Sequence, residues 1–207
     1  MHEKVLPKGS RELLESLGAI GDPGLRGWTL AGGTGLALTL GHRVSEDFDF
    51  FRCDEMDADR LADILARLKP YETLQQAEHT LTVLVQGVKL SFFRARDPFL
   101  FDAAVYRFFD VADRRDIAIM KLVAIGNRGA RKDFVDLYMI LRSGVSLRDC
   151  LEWLPRKYGA SRVNAYHILR SLTWFEDAEQ EPMPRMLVPL DWGACKGFLQ
   201  RQAAAVL

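Results

Sequence analysis

The chain has 207 residues, of which 48% are hydrophobic and 27% charged, and its 28 basic residues balance its 28 acidic ones. This composition excludes a disordered, collagen-like or broadly basic nucleic-acid-binding protein, and the length suits one domain or a compact core with a helical extension. The charges are nevertheless segregated, because residues 44–80 contain 10 acids and 4 bases whereas residues 113–170 contain 12 bases and 6 acids. An acidic region beside a basic one suits a metal ion and a phosphorylated ligand, although solvated helix faces produce such counts too.

Cysteine usage and hydropathy indicate a cytoplasmic protein that does not contact a membrane. Cys53, Cys150 and Cys195 are odd in number and far apart, so neither a disulfide framework nor a zinc knuckle is expected. The first residues lack the apolar core of a signal peptide. The longest stretch without a charged residue, 27–42, has 16 residues, fewer than the roughly 20 that span a bilayer.

The first half of the chain predicts a small sheet with flanking helices. The predicted elements are a helix over 10–18 capped by Ser10, a strand over 28–31, an apolar helix over 34–40, a strand over 47–51, a helix over 57–68, and a hairpin of strands 80–85 and 88–93. Gln86 and Gly87 form the turn of that hairpin. Phe48, Phe50 and Phe51 are expected to anchor the strand over 47–51 in the core.

The second half predicts helices. They cover residues 117–127, 132–142, 146–153, 162–172 and 192–205, with a loop over 177–189. A sheet with helices followed by a helical region is an α+β arrangement.

The most informative segment, residues 30–51, passes from a strand through glycines into a helix and then reaches two acids. Gly32 and Gly33 are small, so a phosphate could approach the backbone N–H groups at the start of the helix, which favours anions. Asp47 and Asp49 are two residues apart and so lie on one face of the predicted strand. Their carboxylates suit Mg²⁺ or Mn²⁺, with water and substrate phosphates completing the coordination.

Each half of this pattern also has a plainer interpretation. A glycine pair after a strand is often only a turn, and acids that alternate with aromatics describe any amphipathic edge strand. Two other phosphate motifs are not met: the sequence has no Gly-x4-Gly-Lys-Ser/Thr run, and the dinucleotide pattern that begins at Gly33 reaches Leu38 where it needs a small residue. The combination of glycines and acids in this order therefore favours a metal–nucleotide site.

A second segment, residues 116–138, places charged groups on two predicted helices. Lys121 lies in an apolar helical run, where an unpaired ammonium is costly, and Arg128 follows seven residues later on the same face. Asp133 and Asp136 are three residues apart and share a face of the next helix. These groups could bind a phosphorylated ligand, or they could pair with one another and tie the helices together; Lys121 has no acid three or four residues away.

The ordered motifs Gly-Gly-Thr-x-Leu-Ala-Leu, His-Arg-x-Ser-x-Asp-Phe-Asp-Phe-Phe, Lys-x-x-Ala-x-x-x-Arg and Lys-Asp-Phe-x-Asp-Leu-Tyr lie within residues 30–141. They resemble those of the AbiEii/AbiGii nucleotidyltransferase toxins of the DNA polymerase β-like superfamily. This resemblance implies a small mixed-sheet nucleotidyltransferase core over residues 1–110 and an α-helical domain over residues 111–207 that completes the active-site cleft. It also implies the toxin of a bacterial type IV toxin–antitoxin or abortive-infection pair, with a cognate antitoxin protein as partner.

The resemblance assigns site residues to roles. By this resemblance, Asp47 and Asp49 would bind the metal, Mg²⁺ or Mn²⁺. The NTP would be bound by Gly32, Gly33, Thr34 and Lys121, with supporting contacts from Arg43, Ser45 and Arg128. Asp133 or Asp136 completes the catalytic set, with general base as one role open to it.

One departure from the superfamily pattern concerns a third carboxylate. Polymerase β-like enzymes usually carry it on a later strand, where it helps to activate the attacking hydroxyl. The matching strand here, 88–93, offers Ser91 and no acid. Either Asp133 or Asp136 substitutes for it, or attack proceeds without that base, or activity is lost.

The predicted function is therefore metal-dependent transfer of an NMP from an NTP to an acceptor hydroxyl. The acceptor is RNA such as tRNA, bound near the basic half, or a protein side chain. The alternative is a catalytically decayed nucleotidyltransferase fold that acts as a nucleotide- or partner-binding protein.

Overall fold

The structure is a computed structural model and describes residues 1–206. The chain forms two compact units, Met1–Asp113 and the part from Arg114 onward. The first unit combines a mixed sheet with helices and the second is helical, which confirms the predicted α+β class.

The first unit contains seven strands in the described residues. They are β1 (Thr29–Ala31), β2 (Phe48–Arg52), β3 (Tyr71–Ala77), β4 (Thr80–Val85), β5 (Val88–Arg94), β6 (Ala104–Tyr106) and β7 (Phe109–Val111). The helices of this unit are α1 (Lys8–Ile20), α2 (Gly32–Leu40) and α3 (Ala58–Leu65), with short 3-10 turns at Glu3–Val5 and Pro23–Leu25.

All seven strands form one mixed sheet in the order β3-β4-β5-β2-β1-β7-β6. The central strand β2 runs antiparallel to β1 and parallel to β5. Phe48 and Phe50 are buried on one face, where the Phe50 ring stacks on Phe92 of β5 at 5.1 Å. The other face of β2 carries Asp49, because successive side chains of a strand point to opposite faces.

The same alternation corrects the expectation for Phe51. This residue lies on the Asp49 face rather than in the main core, and its ring packs against Phe93 at 5.2 Å and Phe99 at 6.3 Å. The sequence therefore places two aromatic clusters on the two faces of one strand.

The helical second unit contains α4 (Arg114–Arg128), α5 (Arg131–Arg142), α6 (Leu147–Tyr158), α7 (Ala165–Ser171), α8 (Glu176–Glu179) and α9 (Trp192–Ala204). Side chains of Ser146, Asn164 and Asp191 accept hydrogen bonds from N–H groups in the first turns of α6, α7 and α9, as N-caps do. The short helix α8 lies at the edge of the predicted loop.

Two further details differ from the sequence prediction. Helix α1 begins before Ser10, so this residue is not its N-cap but a buried helical residue whose hydroxyl donates to the carbonyl oxygen of Glu46 at 3.2 Å. Strands β3, β6 and β7 were not predicted.

Within residues 1–206, no helix is long and apolar enough to cross a membrane.

Candidate active site

The turn from β1 into α2 is built around Gly32. Its φ of +63° lies in the left-handed region, where a side chain is strained. A Cβ at this position would also lie 2.9 Å from Oδ2 of Asp49, the β2 residue that pairs with Ala31. Glycine at this position therefore lets the carboxylate of Asp49, a candidate metal ligand, approach the backbone at the start of α2.

Gly33 permits a second close approach, by Arg43. A Cβ here would collide with Nη2 of Arg43, whose side chain is buried and donates through Nη1 to the carbonyl oxygen of Val44 at 3.0 Å. A guanidinium thus lies against the first turn of α2, where unpaired N–H groups already favour an anion. Both features suit a phosphate.

The segment that leads into β2 is held by hydrogen bonds from three other parts of the unit. The buried Thr34 hydroxyl contacts Ser45 Oγ at 2.7 Å and the carbonyl oxygen of Asp47. The backbone N–H of Ser45 donates to Val5, at 3.1 Å, and Ser10 holds the next residue. The side chains of Thr34 and Ser45 therefore position Asp47, and the proposed nucleotide contacts of these two residues stay a prediction.

Asp49 lies between two neighbouring strands. It pairs with Ala31 on β1 and with Ser91 on β5, and Ser91 is buried and lies 3.5 Å from Thr82 Oγ1. The position facing Asp49 on β5 is thus occupied by a hydroxyl, as the sequence comparison of this strand with the superfamily pattern indicates. A hydroxyl is a far weaker base than a carboxylate.

Lys89 is a site residue that the sequence interpretation missed. It lies two residues before Ser91 on β5, and its Nζ is 3.0 Å from Oδ2 of Asp47, with both side chains about half exposed. The signal was the alternation of Lys89 and Ser91, which puts both on the Asp49 face of the sheet. The ammonium adds a positive charge beside the two carboxylates.

The donor set of this face fits one divalent cation. Asp47 and Asp49 supply hard carboxylate oxygens, and Mg²⁺ commonly takes one or two carboxylates and fills its other positions with water and phosphate. In the part of the chain that the structure describes, no group of three or more His, Cys, Asp and Glu side chains forms a closed metal site. An open site that needs a phosphorylated substrate to complete it is consistent with both observations.

The second unit contains a buried ion cluster built from α4 and α5. Lys121 Nζ lies 2.7 Å from Oδ1 of Asp133 and 2.7 Å from Oδ2 of Asp136, and all three side chains are almost fully buried. Arg128 Nε donates to Asp133 Oδ2 at 2.8 Å. The acids that pair with Lys121 come from the neighbouring helix, which explains why none lies nearby along α4.

The pKa values of this cluster favour the charged forms. Burial alone would lower the pKa of Lys121, but the adjacent carboxylates of Asp136 and Asp133 raise it above its usual value. Burial would raise the pKa of Asp133, but Lys121 and the hydrogen bond from Arg128 hold it below its usual value. The cluster ties α4 to α5, and a role in catalysis for its members stays a prediction.

A second buried ion pair was not found from the sequence. Lys157 Nζ of α6 lies 3.0 Å from Oδ1 of Asp116 of α4, with both side chains buried. Nothing in the spacing of these residues, 41 apart, signals the contact.

Comparison with known proteins matches this architecture to a family. Residues 22–205 match the model of the nucleotidyl transferase AbiEii toxin family of type IV toxin–antitoxin systems. An uncharacterised protein of Aquifex aeolicus is 38% identical over 188 residues, with 85% of this chain and 86% of that protein covered.

Solved structures agree on the fold. The nucleotidyltransferase toxin MenT4 of Mycobacterium tuberculosis aligns with a TM-score of 0.57 at 14% identity, over 97% of this chain and 85% of that chain. A structure from Helicobacter pylori described as a candidate nucleotidyltransferase aligns with a TM-score of 0.56 at 15% identity, over 95% and 92% of the two chains. The chain therefore belongs to the AbiEii family of nucleotidyltransferase toxins.

Proposed function

We propose that the protein transfers an NMP from an NTP to an acceptor hydroxyl with the help of a divalent cation held by Asp47 and Asp49. The observation that carries this proposal is the contact between Gly32 and Asp49. A carboxylate that suits a metal lies against the glycine turn that suits a phosphate, so a metal-bound triphosphate can meet both groups at once. Mg²⁺ or Mn²⁺ at these carboxylates would neutralise the triphosphate and act as a Lewis acid.

The residues of the first unit bind and orient the nucleotide. Backbone N–H groups of Gly33 and Thr34 face the triphosphate at the start of α2, and the guanidinium of Arg43 adds positive charge there. Lys89 stabilises negative charge on the face of the sheet that carries Asp49. These contacts hold the α-phosphorus for in-line attack.

In the reaction the acceptor oxygen forms a bond to the α-phosphorus, and the bond to the leaving pyrophosphate breaks. The hydroxyl proton passes to a base. Ser91 is a far weaker base than a carboxylate, so either Asp133 or Asp136 takes this role or attack proceeds without a carboxylate base. Lys121 and Arg128 are assigned to the nucleotide phosphates, and each of these four roles is a prediction that variants can test.

The family membership extends the proposal to the biological setting. The acceptor is RNA such as tRNA, or a protein side chain, and the protein acts in the cytoplasm as the toxin of a pair with a cognate antitoxin.

The direct test is transfer of label from each of the four NTPs, labelled at the α-phosphate, to cellular RNA or protein. Asp49→Ala removes a proposed metal ligand and should abolish labelling, whereas Asp63→Ala removes an exposed acid of α3 and should not change it. Undiminished labelling by Asp49→Ala would overturn the site assignment. NTP binding without any transfer would support the decayed alternative, which Ser91 favours.

A further inference from the structure

Two residues of β5, Lys89 and Ser91, face the proposed metal ligands. Asp49 pairs with Ser91 across the parallel ladder of β2 and β5, and Nζ of Lys89 lies 3.0 Å from Oδ2 of Asp47. Side chains two residues apart on a strand lie on the same face, so the hydroxyl and the ammonium of β5 lie beside each other. The two carboxylates therefore face one neutral group and one cation.

This part of the sheet lacks ligands for a second divalent cation. Two-metal sites hold their ions about 3.5–4 Å apart, and several anionic oxygens are needed to offset the repulsion between the ions. The neighbours of Asp49 across the sheet are Ala31 and Ser91, and neither is an acid. Within residues 1–206, no group of three or more His, Cys, Asp and Glu side chains could hold a metal. Asp47 and Asp49 therefore suit a single ion.

The ammonium of Lys89 supplies the charge that a second ion would bring. A carboxylate and a divalent cation together carry one positive charge, and an ammonium carries that charge in one group. Compared with a site of three carboxylates and two ions, Ser91 and Lys89 therefore keep the net charge. Because a carboxylate has two accepting oxygens, Asp47 can contact the ammonium and a metal together.

Lys89 is also placed to contact a phosphate. The side chains of Lys89 and Asp47 are 42% and 47% exposed, so the ion pair lies where a ligand can reach it. A lysine has a flexible stem and three donors, which lets the ammonium keep one hydrogen bond to a carboxylate and donate another to a phosphate. Arg43 does not take this position, because its buried guanidinium lies against Gly33 at the first turn of α2.

We propose that the ammonium of Lys89 takes the place of a second metal ion, so that the site binds its nucleotide with a single divalent cation. This inference rests on the proposed function, since the metal at Asp47 and Asp49 and the NTP belong to that proposal. It adds a nucleotide-binding role for Lys89 and fixes the number of ions. A lysine that only pairs with Asp47 at the surface would change neither the number of bound ions nor the affinity for an NTP by much.

The first experiment counts the Mn²⁺ ions that the full chain binds, by electron paramagnetic resonance, with and without each of the four NTPs. The wild type should bind a single Mn²⁺ per chain, with the spectrum of an isolated ion, and the control Asp63→Ala should behave in the same way. Two Mn²⁺ ions per wild-type chain, with the spin-coupled spectrum of ions about 3.5–4 Å apart, would overturn the proposal.

Charge reversal at Lys89 should create the second metal position. Lys89→Glu adds a third carboxylate at a half-exposed side chain, so the variant should fold and bind a second Mn²⁺ that is spin-coupled to the first. Lys4→Glu makes the same charge change at an exposed lysine of this unit and should still bind a single ion. Binding of a single Mn²⁺ by folded Lys89→Glu would contradict the proposal, and the wild-type count tests it without any variant.

Removal of the ammonium tests the contact with the nucleotide. In calorimetry, Lys89→Met should weaken binding of the Mn²⁺–NTP complex about tenfold, because a charge-assisted hydrogen bond to a phosphate is lost, although the same change removes a cation that repels Mn²⁺. Lys4→Met should leave this affinity unchanged. Equal affinities of Lys89→Met and the wild type would overturn the role of Lys89.

Failure of this inference is distinguishable from failure of the proposed function. A single Mn²⁺ in the wild type and two in Lys89→Glu, without binding of any NTP, would support the single-ion site and contradict nucleotidyl transfer. Transfer from an NTP by a wild type that holds two Mn²⁺ ions would do the reverse. An absence of Mn²⁺ binding with and without NTP would overturn both.

Discussion

The buried cluster of α4 and α5 gives the sharpest stability prediction. Lys121→Met removes the ammonium and keeps the length of the side chain, so Asp136 loses a buried cation at 2.7 Å. Breaking one buried ion pair costs about 3–5 kcal/mol, because the remaining charge is left in a poorly polarisable interior. Arg128 still pairs with Asp133, so we expect the lower end, about 3 kcal/mol.

The assay is urea unfolding followed by tryptophan fluorescence, since three of the four tryptophans lie in the second unit. Lys132→Met, at an exposed neighbour on α5, is the matched control and should change the unfolding free energy by less than about 0.5 kcal/mol. Adding Asp136→Asn to Lys121→Met should recover part of the loss, because it removes a buried negative charge that no longer faces the ammonium.

The same variant should show a defined pH dependence. In the wild type the lowered pKa of Asp133 contributes stability above its usual pKa, and this is lost as pH falls through the lower folded value. The raised pKa of Lys121 contributes stability below its usual value, and this is lost as pH rises through the higher folded value. The free energy of unfolding of the wild type should therefore exceed that of Lys121→Met most at neutral pH, and the gap should narrow in acid, where the buried carboxylates that have lost Lys121 bind protons.

A loss of less than about 1 kcal/mol at pH 7, or a loss that does not change toward about pH 4.5, would refute this reasoning. Either result would mean that water or other groups already screen the cluster.

Three further outcomes are expected. Gly32→Ala should weaken binding of the Mg²⁺–NTP complex, because φ at this position is +63° and the new Cβ would press on the carboxylate of Asp49. The control Gly9→Ala places its Cβ in open space and should not change this affinity. Equal affinities of the two variants in calorimetry would contradict this prediction. Lys89→Met should tighten Mn²⁺ binding to the nucleotide-free protein about two- to fivefold, because the ammonium of Lys89, in an exposed ion pair of up to about 1 kcal/mol, no longer competes with the metal for Asp47. Electron paramagnetic resonance measures this binding, and weaker binding by the variant would contradict the prediction. Cys53 should be the thiol that reacts rapidly with Ellman's reagent in the native protein, and two or more fast thiols would disprove the burial argument. Burial raises the pKa of each of the other two thiols to about 12, namely Cys150 and Cys195.

Local patterns in the sequence predicted several features of the fold well. The hairpin of β4 and β5 has its predicted turn, with positive φ at Gln86 and Gly87, because two alternating apolar strands flank a tight turn. The start of α6 was also predicted to within one residue, and the hydroxyl of Ser146 caps it. Both signals need only neighbouring residues.

Features that depend on distant partners were not predicted. Strand β3 is mostly polar and exposed, and it forms because β4 supplies hydrogen bonds along its edge. Strands β6 and β7 have three residues each, too few for a periodic signal. Three residues are below the length at which alternation can be recognised.

The candidate site likewise has features that local sequence predicts and features that depend on distant partners. The placement of Asp47 and Asp49 on one face followed from their spacing. Small residues at positions 32 and 33 were expected for the approach of a phosphate, whereas the left-handed φ of Gly32 and its closeness to Asp49 could not be predicted. The partners of Lys121 and the contact of Lys89 with Asp47 could not be read from spacing, because they join different elements. Pairing between elements depends on packing rather than on local sequence.

The most direct test of the central claim is isothermal calorimetry of the four NTPs with Mg²⁺, on the wild type, the double variant Asp47→Ala/Asp49→Ala and the control Asp63→Ala. We expect Mg²⁺-dependent binding of at least one NTP by the wild type and the control, and none by the double variant, because both proposed metal ligands are gone. Binding of the same NTP with the same Mg²⁺ dependence by the double variant, or no NTP binding by the wild type, would contradict the account and make these two acids an ordinary edge of the sheet.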